Sequence, residues 1–313
     1  MSVVLWNPNA GGKVARNVRA PSEDDLRAVL DAHGIDARIV ATESEEHAVA
    51  SVHEAIAAGE KTIIAAGGDG TIELIATQLL GKLDVALGIL PLGSVMNFAR
   101  MVGVPRDLEQ AAEIIAARRT RLIDVGEANG TTFYETASVG LNAALFGMAA
   151  HFEDGDYGSP IKALAIAFRY RPARMTVELD SETVSTRALM VAVSNGGYMG
   201  VAMNIAPDAR LDDGRFDVRV YRHYSKLELL RHLAAIAFGR RAYSPHFSAY
   251  RSANVKITSS SALPTRADSS DLGTTPLECV CRHAVLSVIV GPEFADKVPA
   301  GQSPANDQST RTQ

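Results

Sequence analysis

Cysteine is scarce. The 313-residue chain carries two, Cys279 and Cys281, two apart on one face of an expected strand. Such close neighbours are poor disulfide partners, and two cysteines alone do not make a zinc site. Both are expected to be reduced packing residues. The histidines, among them His151, His223, His232, His246 and His283, show no metal-ligand spacing. Positive charge is not in excess: the net charge is −5, which argues against nucleic acid as the main partner. No apolar run reaches the length of a membrane span, and the start, Met1-Ser2-Val3-Val4-Leu5, lacks a basic n-region, so a cytoplasmic protein is expected. No internal repeat is present. What remains is an ordinary soluble composition, 47% hydrophobic and 21% charged, long enough for two domains.

The first third alternates strands and helices. Val3–Trp6 reads as a strand, followed by Asn7-Pro8-Asn9-Ala10-Gly11-Gly12-Lys13. Pro21-Ser22 opens a helix with Leu26, Val29, Leu30 and His33 on one face, stopped by Gly34. Ile35, Ala37 and Ile39 alternate as a strand. Ala48, Val49, Val52, Ala55 and Ile56 mark the next helix, and Val85–Leu90 another apolar strand. Asp107-Leu108-Glu109-Gln110 is a capping box that opens a helix ending in Arg118-Arg119. This rhythm predicts an α/β domain with a parallel, Rossmann-like sheet over 1–124. From about Leu122 strands dominate: Phe133–Val139, Met175–Leu179, Leu189–Ser194, Phe216–Tyr221, Val255–Thr258, Leu277–Cys281 and Val285–Val290. One helix interrupts, at Ser225–Phe238. A mostly antiparallel β-sandwich over 125–292 is expected, and 293–313 is expected to be a largely disordered segment, polar and rich in Pro, Gly and Ser toward its end.

The chain is organised around Ala65-Ala66-Gly67-Gly68-Asp69-Gly70-Thr71. It lies between an apolar strand, 61–64, and an amphipathic helix carrying Ile72, Leu74, Ile75, Leu79 and Leu80. Strand, glycine turn and helix in that order put backbone N–H groups at a helix N-terminus, where they can cradle phosphate oxygens. Asp69 is out of place among phosphate-binding amides unless it handles a proton, handles Mg²⁺, or holds the loop by accepting amide hydrogens. The loops at 7–13 and 91–97, with Thr42, come from the same sheet edge, where ligands of parallel sheets bind.

These motifs resemble the diacylglycerol kinase catalytic-domain family, which includes sphingosine kinases and bacterial lipid kinases. The likeness rests on Asn7-Pro8-x-x-Gly11, Gly67-Gly68-Asp69-Gly70-Thr71 and Leu90-Pro91-Leu92-Gly93-Ser94. It extends through Asp124-Val125-Gly126, Ala137-Ser138-Val139-Gly140-Leu141, Asn195-Gly196, Ala206-Pro207-Asp208-Ala209 and Asp212-Asp213-Gly214. The resemblance implies transfer of a phosphoryl group from ATP to a lipid hydroxyl in a cleft between two domains. It implies nucleotide contacts from Asn7, Pro8, Asn9, Ala10, Gly11, Thr42, Gly67, Gly68, Asp69, Gly70, Thr71 and Ser94. It also implies a Mg²⁺ at Asp213, with the carbonyls of Arg210 and Arg215.

The chain departs from the pattern twice. Where the family has Gly-Thr-x-Asn it reads Gly93-Ser94-Val95-Met96. Where the family has Asp-Gly-Glu, the Glu serving as base, it reads Asp268-Ser269-Ser270. Ser270 is no base at neutral pH, and Asp271 substitutes only if the loop shifts by one residue. Ile161–Val177, with Lys162, Arg169, Arg171 and Arg174 and no acid, suits an anionic membrane surface or a packed helix with a solvated end. The reading is an ATP- and Mg²⁺-dependent lipid kinase, cytoplasmic and peripheral to the membrane. Its rivals are a non-catalytic lipid- or nucleotide-binding module and an NAD kinase.

Overall fold

The computed structural model describes residues 2–10, 21–141, 143, 170–200, 203–222 and 247–295. In the first domain β1 (Ser2–Trp6), β2 (Ala37–Ala41), β3 (Thr62–Gly67) and β4 (Ala86–Pro91) lie in the order β2-β1-β3-β4. All three pairings are parallel. The strands β3 and β4 are buried almost throughout, because helices cover both faces of such a sheet. Those helices begin where the sequence places their caps. Ser22 and Asp25 close a reciprocal box at α1 (Glu23–Ala32). Ser44 caps α2 (Glu45–Ala57), and Asp107 accepts the Gln110 N–H at the start of α5 (Leu108–Ala117). Between them lie α3 (Asp69–Gln78) and the short α4 (Asn97–Met101).

Two long strands tie this sheet to the second domain. β5 (Thr120–Ala128) and β18 (Leu277–Ile289) run antiparallel along nearly their whole length. Their upper halves continue the first sheet, Val288 pairing with Leu87 of β4. Their lower halves join β6 (Thr131–Phe133), β8 (Ala173–Leu179), β9 (Thr183–Ala188) and β15 (Asn254–Ser259). The antiparallel second sheet holds β7 (Thr136–Gly140), β10 (Met190–Ser194), β13 (Phe216–Tyr221), β14 (Phe247–Ser252), β16 (Pro264–Ala267) and β17 (Ser270–Thr274), in the order β14-β13-β10-β7-β16-β17. Phe133, Val177, Ile257 and Leu277 from one layer and Val139, Val193, Phe216 and Val218 from the other form the sandwich core. This is the expected α/β plus antiparallel β-sandwich architecture. A small hairpin, β11 (Tyr198–Met199) and β12 (Met203–Asn204), completes the strands among the described residues.

Several boundaries differ from the sequence reading. Phe133–Val139 is broken at Tyr134-Glu135 into β6 and β7. Leu277–Cys281 and Val285–Val290 are one strand, whose pairing shifts register between Arg282 and Leu286 around a left-handed Ala284, the mark of a β-bulge. The expected helix Ser225–Phe238, the front of 161–177 through Arg169, Gly11 and the tail 298–313 lie outside the described residues. Arg174 stands on β8, just past Arg171. Both cysteines are free, and burial pushes both thiols up to about 12.

Candidate active site

The glycine loop runs from the end of β3 into α3, and Gly68 is the helix N-cap with no side-chain hydrogen bond. The Ile72 N–H is the first to bond back, to the Gly68 carbonyl at 3.0 Å. The N–H groups of Asp69, Gly70 and Thr71 therefore stand in the first helical turn, where a helix offers donors to an anion. Two glycines are needed for packing rather than for backbone angle. A Cβ at Gly93 would lie 2.6 Å from the Gly68 Cα, and one at Gly67 would lie 2.5 Å from the Thr71 Cβ. The 67–71 and 91–97 loops thus meet backbone to backbone.

Asp69 points away from that turn. Its Oδ2 accepts the Met96 N–H at 2.7 Å and its Oδ1 accepts the Phe98 N–H at 3.1 Å. The carboxylate thereby caps α4 and holds the second loop against the first. Met96 adopts a left-handed conformation, φ 57°, and is wholly buried, and its sulfur accepts the Gly93 N–H at 3.2 Å. Asn7 joins the group by donating from Nδ2 to the Thr71 hydroxyl at 3.2 Å. Its Oδ1 accepts the Asn9 N–H at 2.9 Å and its carbonyl the Ala10 N–H at 3.0 Å, which folds 7–10 into a tight turn. Pro8 and Asn9 are exposed, as is Ser94. Thr42 is buried, and its hydroxyl donates to the Trp6 carbonyl at 3.1 Å.

The second domain contributes carboxylates next to these loops. Glu135, in the break between β6 and β7, accepts a hydrogen bond from Asn97 Nδ2 at 2.9 Å. Asp268 accepts the N–H groups of Tyr134, Glu135 and Thr136 at 2.6, 3.1 and 2.9 Å. The Tyr134 hydroxyl meets Thr77 Oγ1 of α3 at 2.9 Å, and its ring packs edge-on against Phe98. Glu73 lies one helical turn after Asp69. Burial, then the charges of Asp268 and Asp69, push Glu73 up to about 9. Burial, then Asp268, does the same for Glu135, also to about 9. Asp268 rises to about 6 through burial, its three N–H donors working against the rise. Protons shared among these acids are the physical result of like charges in a desolvated space.

The structure brings Asp69, Glu73, Asn97, Glu135 and Asp268 together. Ser270 and Asp271 lie apart from that group, on the exposed edge strand β17. The Asp271 Oδ1 accepts the Gly273 N–H at 2.8 Å, inside its own turn. Glu73, Glu135 and Asn97 were missed as site residues by sequence reasoning. Glu73 could have been found from its i, i+4 spacing with Asp69, which puts both on one helix face.

Arg210, Asp213 and Arg215 lie in the loop before β13. The Asp213 Oδ1 accepts the Arg215 N–H at 3.1 Å and its Oδ2 is held by the Arg251 guanidinium. Arg210 pairs with Asp212 at 3.0 Å. A guanidinium meets the Asp213 charge, so a divalent ion does not fit this carboxylate as it stands. Asp124 anchors the same loop. It is buried and accepts the Gly214 N–H at 2.6 Å, the Ala284 N–H at 2.8 Å and a contact from His283 Nδ1 at 2.7 Å. That single carboxylate fixes the loop and the bulge of β18 together.

A parallel α/β domain, with a glycine loop between β3 and α3, is thus joined to an antiparallel β-sandwich. The diacylglycerol kinase catalytic domain model matches residues 1–128, and the YegS C-terminal NAD kinase beta sandwich-like domain model matches residues 137–290. Residues 1–128 are therefore a diacylglycerol kinase catalytic domain, followed by a YegS-type C-terminal sandwich domain. It is 26% identical over 301 residues to a diacylglycerol kinase of Bacillus subtilis (strain 168), covering 94% of this chain and 98% of that protein. It is 29% identical over 222 residues to a probable lipid kinase YegS-like protein of Klebsiella pneumoniae (strain 342), covering 66% of this chain and 72% of the other. The solved structure of a diacylglycerol kinase from Bacillus anthracis str. Sterne shares the fold, with a TM-score of 0.69 at 20% identity over 94% of this chain and 97% of that one.

Proposed function

We propose that the chain transfers the γ-phosphate of ATP to the hydroxyl of a diacylglycerol-like lipid bound in the cleft between its two domains. The observation that carries this is the turning of Asp69 into the N-terminus of α4. A carboxylate facing the first turn of α3 would repel phosphate. Bonded instead to the Met96 and Phe98 N–H groups, it leaves that turn lined by backbone donors. It also locks the two phosphate-side loops in one arrangement, so little reorganisation is needed when ATP binds. A Mg²⁺ bound with the nucleotide would supply charge neutralisation on its phosphates. On the acceptor side the Asn97–Glu135 pair and Asp268 stand beside these loops and would orient the hydroxyl. Ser270, exposed on β17, supplies no base, so turnover is expected to be slow relative to tight ATP binding.

Gly68→Val tests the placement of ATP. A Cβ at Gly68 meets only the Gly93 Cα, at 3.6 Å, so the substitution fills the phosphate space without forcing the fold. Calorimetry should show ATP–Mg²⁺ affinity lowered at least tenfold in the variant. Equal affinity in a folded variant would place ATP elsewhere.

A further inference from the structure

The solvent face of the sandwich's outer layer carries an unbalanced row of charge. On β8, Met175 and Val177 point into the core, so Arg174, Thr176 and Glu178 point outward. Three rows cross β15, β8 and β9 on that face. In one, Lys256 stands opposite Glu178, which stands opposite Thr183, and Lys256 also reaches Glu278 at 2.7 Å. In the next, Thr176 bonds Ser185, hydroxyl to hydroxyl, at 3.0 Å. In the third, Arg174 stands directly opposite Arg187. Like charges directly opposite across a ladder are destabilising, and the neighbouring rows show that this face can match its charges.

That third row borders a cavity of about 680 Å³, lined by Tyr170, Arg171, Arg174, Arg187, Ser260 and Ser261 with apolar neighbours and, among the described residues, no carboxylate. Arg187 Nη2 spends one donor on the Pro172 carbonyl at 3.3 Å. Arg171 and Arg174 make no ion pair among the described residues. The Tyr170 hydroxyl is buried with no hydrogen-bond partner among them. Three guanidinium forks and two serine hydroxyls are donors available to an acceptor with several oxygens, and arginine forks match phosphate.

We propose that this cavity binds the phosphate of an anionic phospholipid and thereby seats the sandwich domain on an anionic membrane. The assignment rests on the lipid-kinase reading for its choice of a membrane phosphate over a free one. The placement suits that choice. Pro264 of β16 lines the cavity, and Asp268, four residues on, belongs to the acid cluster at Tyr134 and Glu135. At about 3.3 Å per strand residue the two are roughly 13 Å apart along the chain. A headgroup held at the arginines is thus a neighbour of the acceptor lipid and not the acceptor itself.

The test reads vesicle binding without ATP, so it stands whether or not the protein turns over. The Arg174→Thr, Arg187→Thr pair extends the existing Thr176–Ser185 row and suits a strand. Wild type should sediment with phosphatidylcholine vesicles that contain phosphatidylglycerol and not with phosphatidylcholine alone. The double variant should lose at least tenfold in partitioning to the mixed vesicles, while its unfolding temperature in lipid-free buffer stays level or rises as the like-charge pair is relieved. Lys256→Thr, two rows away on the same face, should bind as wild type. Unchanged binding in the double variant overturns the proposal. So does an equal loss in Lys256→Thr, which would mean diffuse surface charge. A rise in wild-type unfolding temperature with inorganic phosphate, lost in the double variant, while vesicle binding is untouched would assign the cavity to a free anion and overturn the membrane assignment.

Discussion

Replacing Glu135 by Gln tests the buried acid cluster through the pH dependence of stability. Glu135 is 8% exposed and sits at about 9 against an ordinary 4.5, chiefly through burial. Between those values the folded protein keeps a proton that the unfolded chain has released. The native state then binds more protons than the unfolded one, so stability falls as pH rises through this window. One such group costs at most about 1.4 kcal/mol per pH unit, or about 4 kcal/mol between pH 5 and pH 8. Glu73 and Asp268 share the load, so the slope belongs to the cluster. Gln keeps an oxygen for the Asn97 amide and removes one ionisation. The variant should match wild type near pH 5, exceed it at pH 8 by several degrees in unfolding temperature, and show a shallower decline between. Thermal unfolding followed by circular dichroism at four pH values measures both curves. Parallel curves, or a variant weaker than wild type at pH 8, would refute the claim that Glu135 is held neutral by its surroundings.

Two further outcomes follow from the loops of the second domain. Ser270→Glu should leave kcat within about twofold of wild type, because position 270 stands on exposed β17, apart from the acid cluster, and a base must reach the acceptor hydroxyl; a tenfold rise would place the acceptor beside β17. Asp271→Asn should leave turnover nearly unaltered, since its carboxylate is bound to the Gly273 N–H, and abolished turnover there would make Asp271 the base. With Arg251 holding Asp213, the unfolding temperature of wild type should not respond to EDTA. Arg251→Ala should lose about 1–3 kcal/mol and recover part of it in Mg²⁺; EDTA destabilising the wild type would show that an ion, not the guanidinium, serves that carboxylate.

The α/β half was legible because its signals are local. Ser22, Asp107 and the apolar faces of α1 and α5 are read within a few residues. The glycine loop was legible for the same reason, but the reason for Gly93 was not. Its need comes from Gly68, far along the chain, and shows only when β3 and β4 are side by side. The sandwich was read less fully. β5 was passed over because its charged residues alternate with apolar ones across a domain junction. β17, Ser-Asp-Leu-Gly-Thr, has almost no apolar signal, since an edge strand is held by backbone pairing. Glu73 and Glu135 escaped notice because single acids in a helix and a strand break read as surface. Only the packing of Tyr134 against Phe98 and Thr77 shows them desolvated. Asp69 left three roles open in the sequence, and the hydrogen bonds to Met96 and Phe98 are visible only in three dimensions.

The central claim is phosphoryl transfer from ATP to a lipid hydroxyl, and label transfer tests it directly. The protein is incubated with γ-³²P-ATP, Mg²⁺ and dispersed diacylglycerol, and the organic phase is separated by thin-layer chromatography. The account predicts slow, time-dependent appearance of label in a phosphorylated lipid, lost in Gly68→Val. A wild-type protein that binds ATP–Mg²⁺ but puts no label into diacylglycerol or any lipid of a total extract would contradict it.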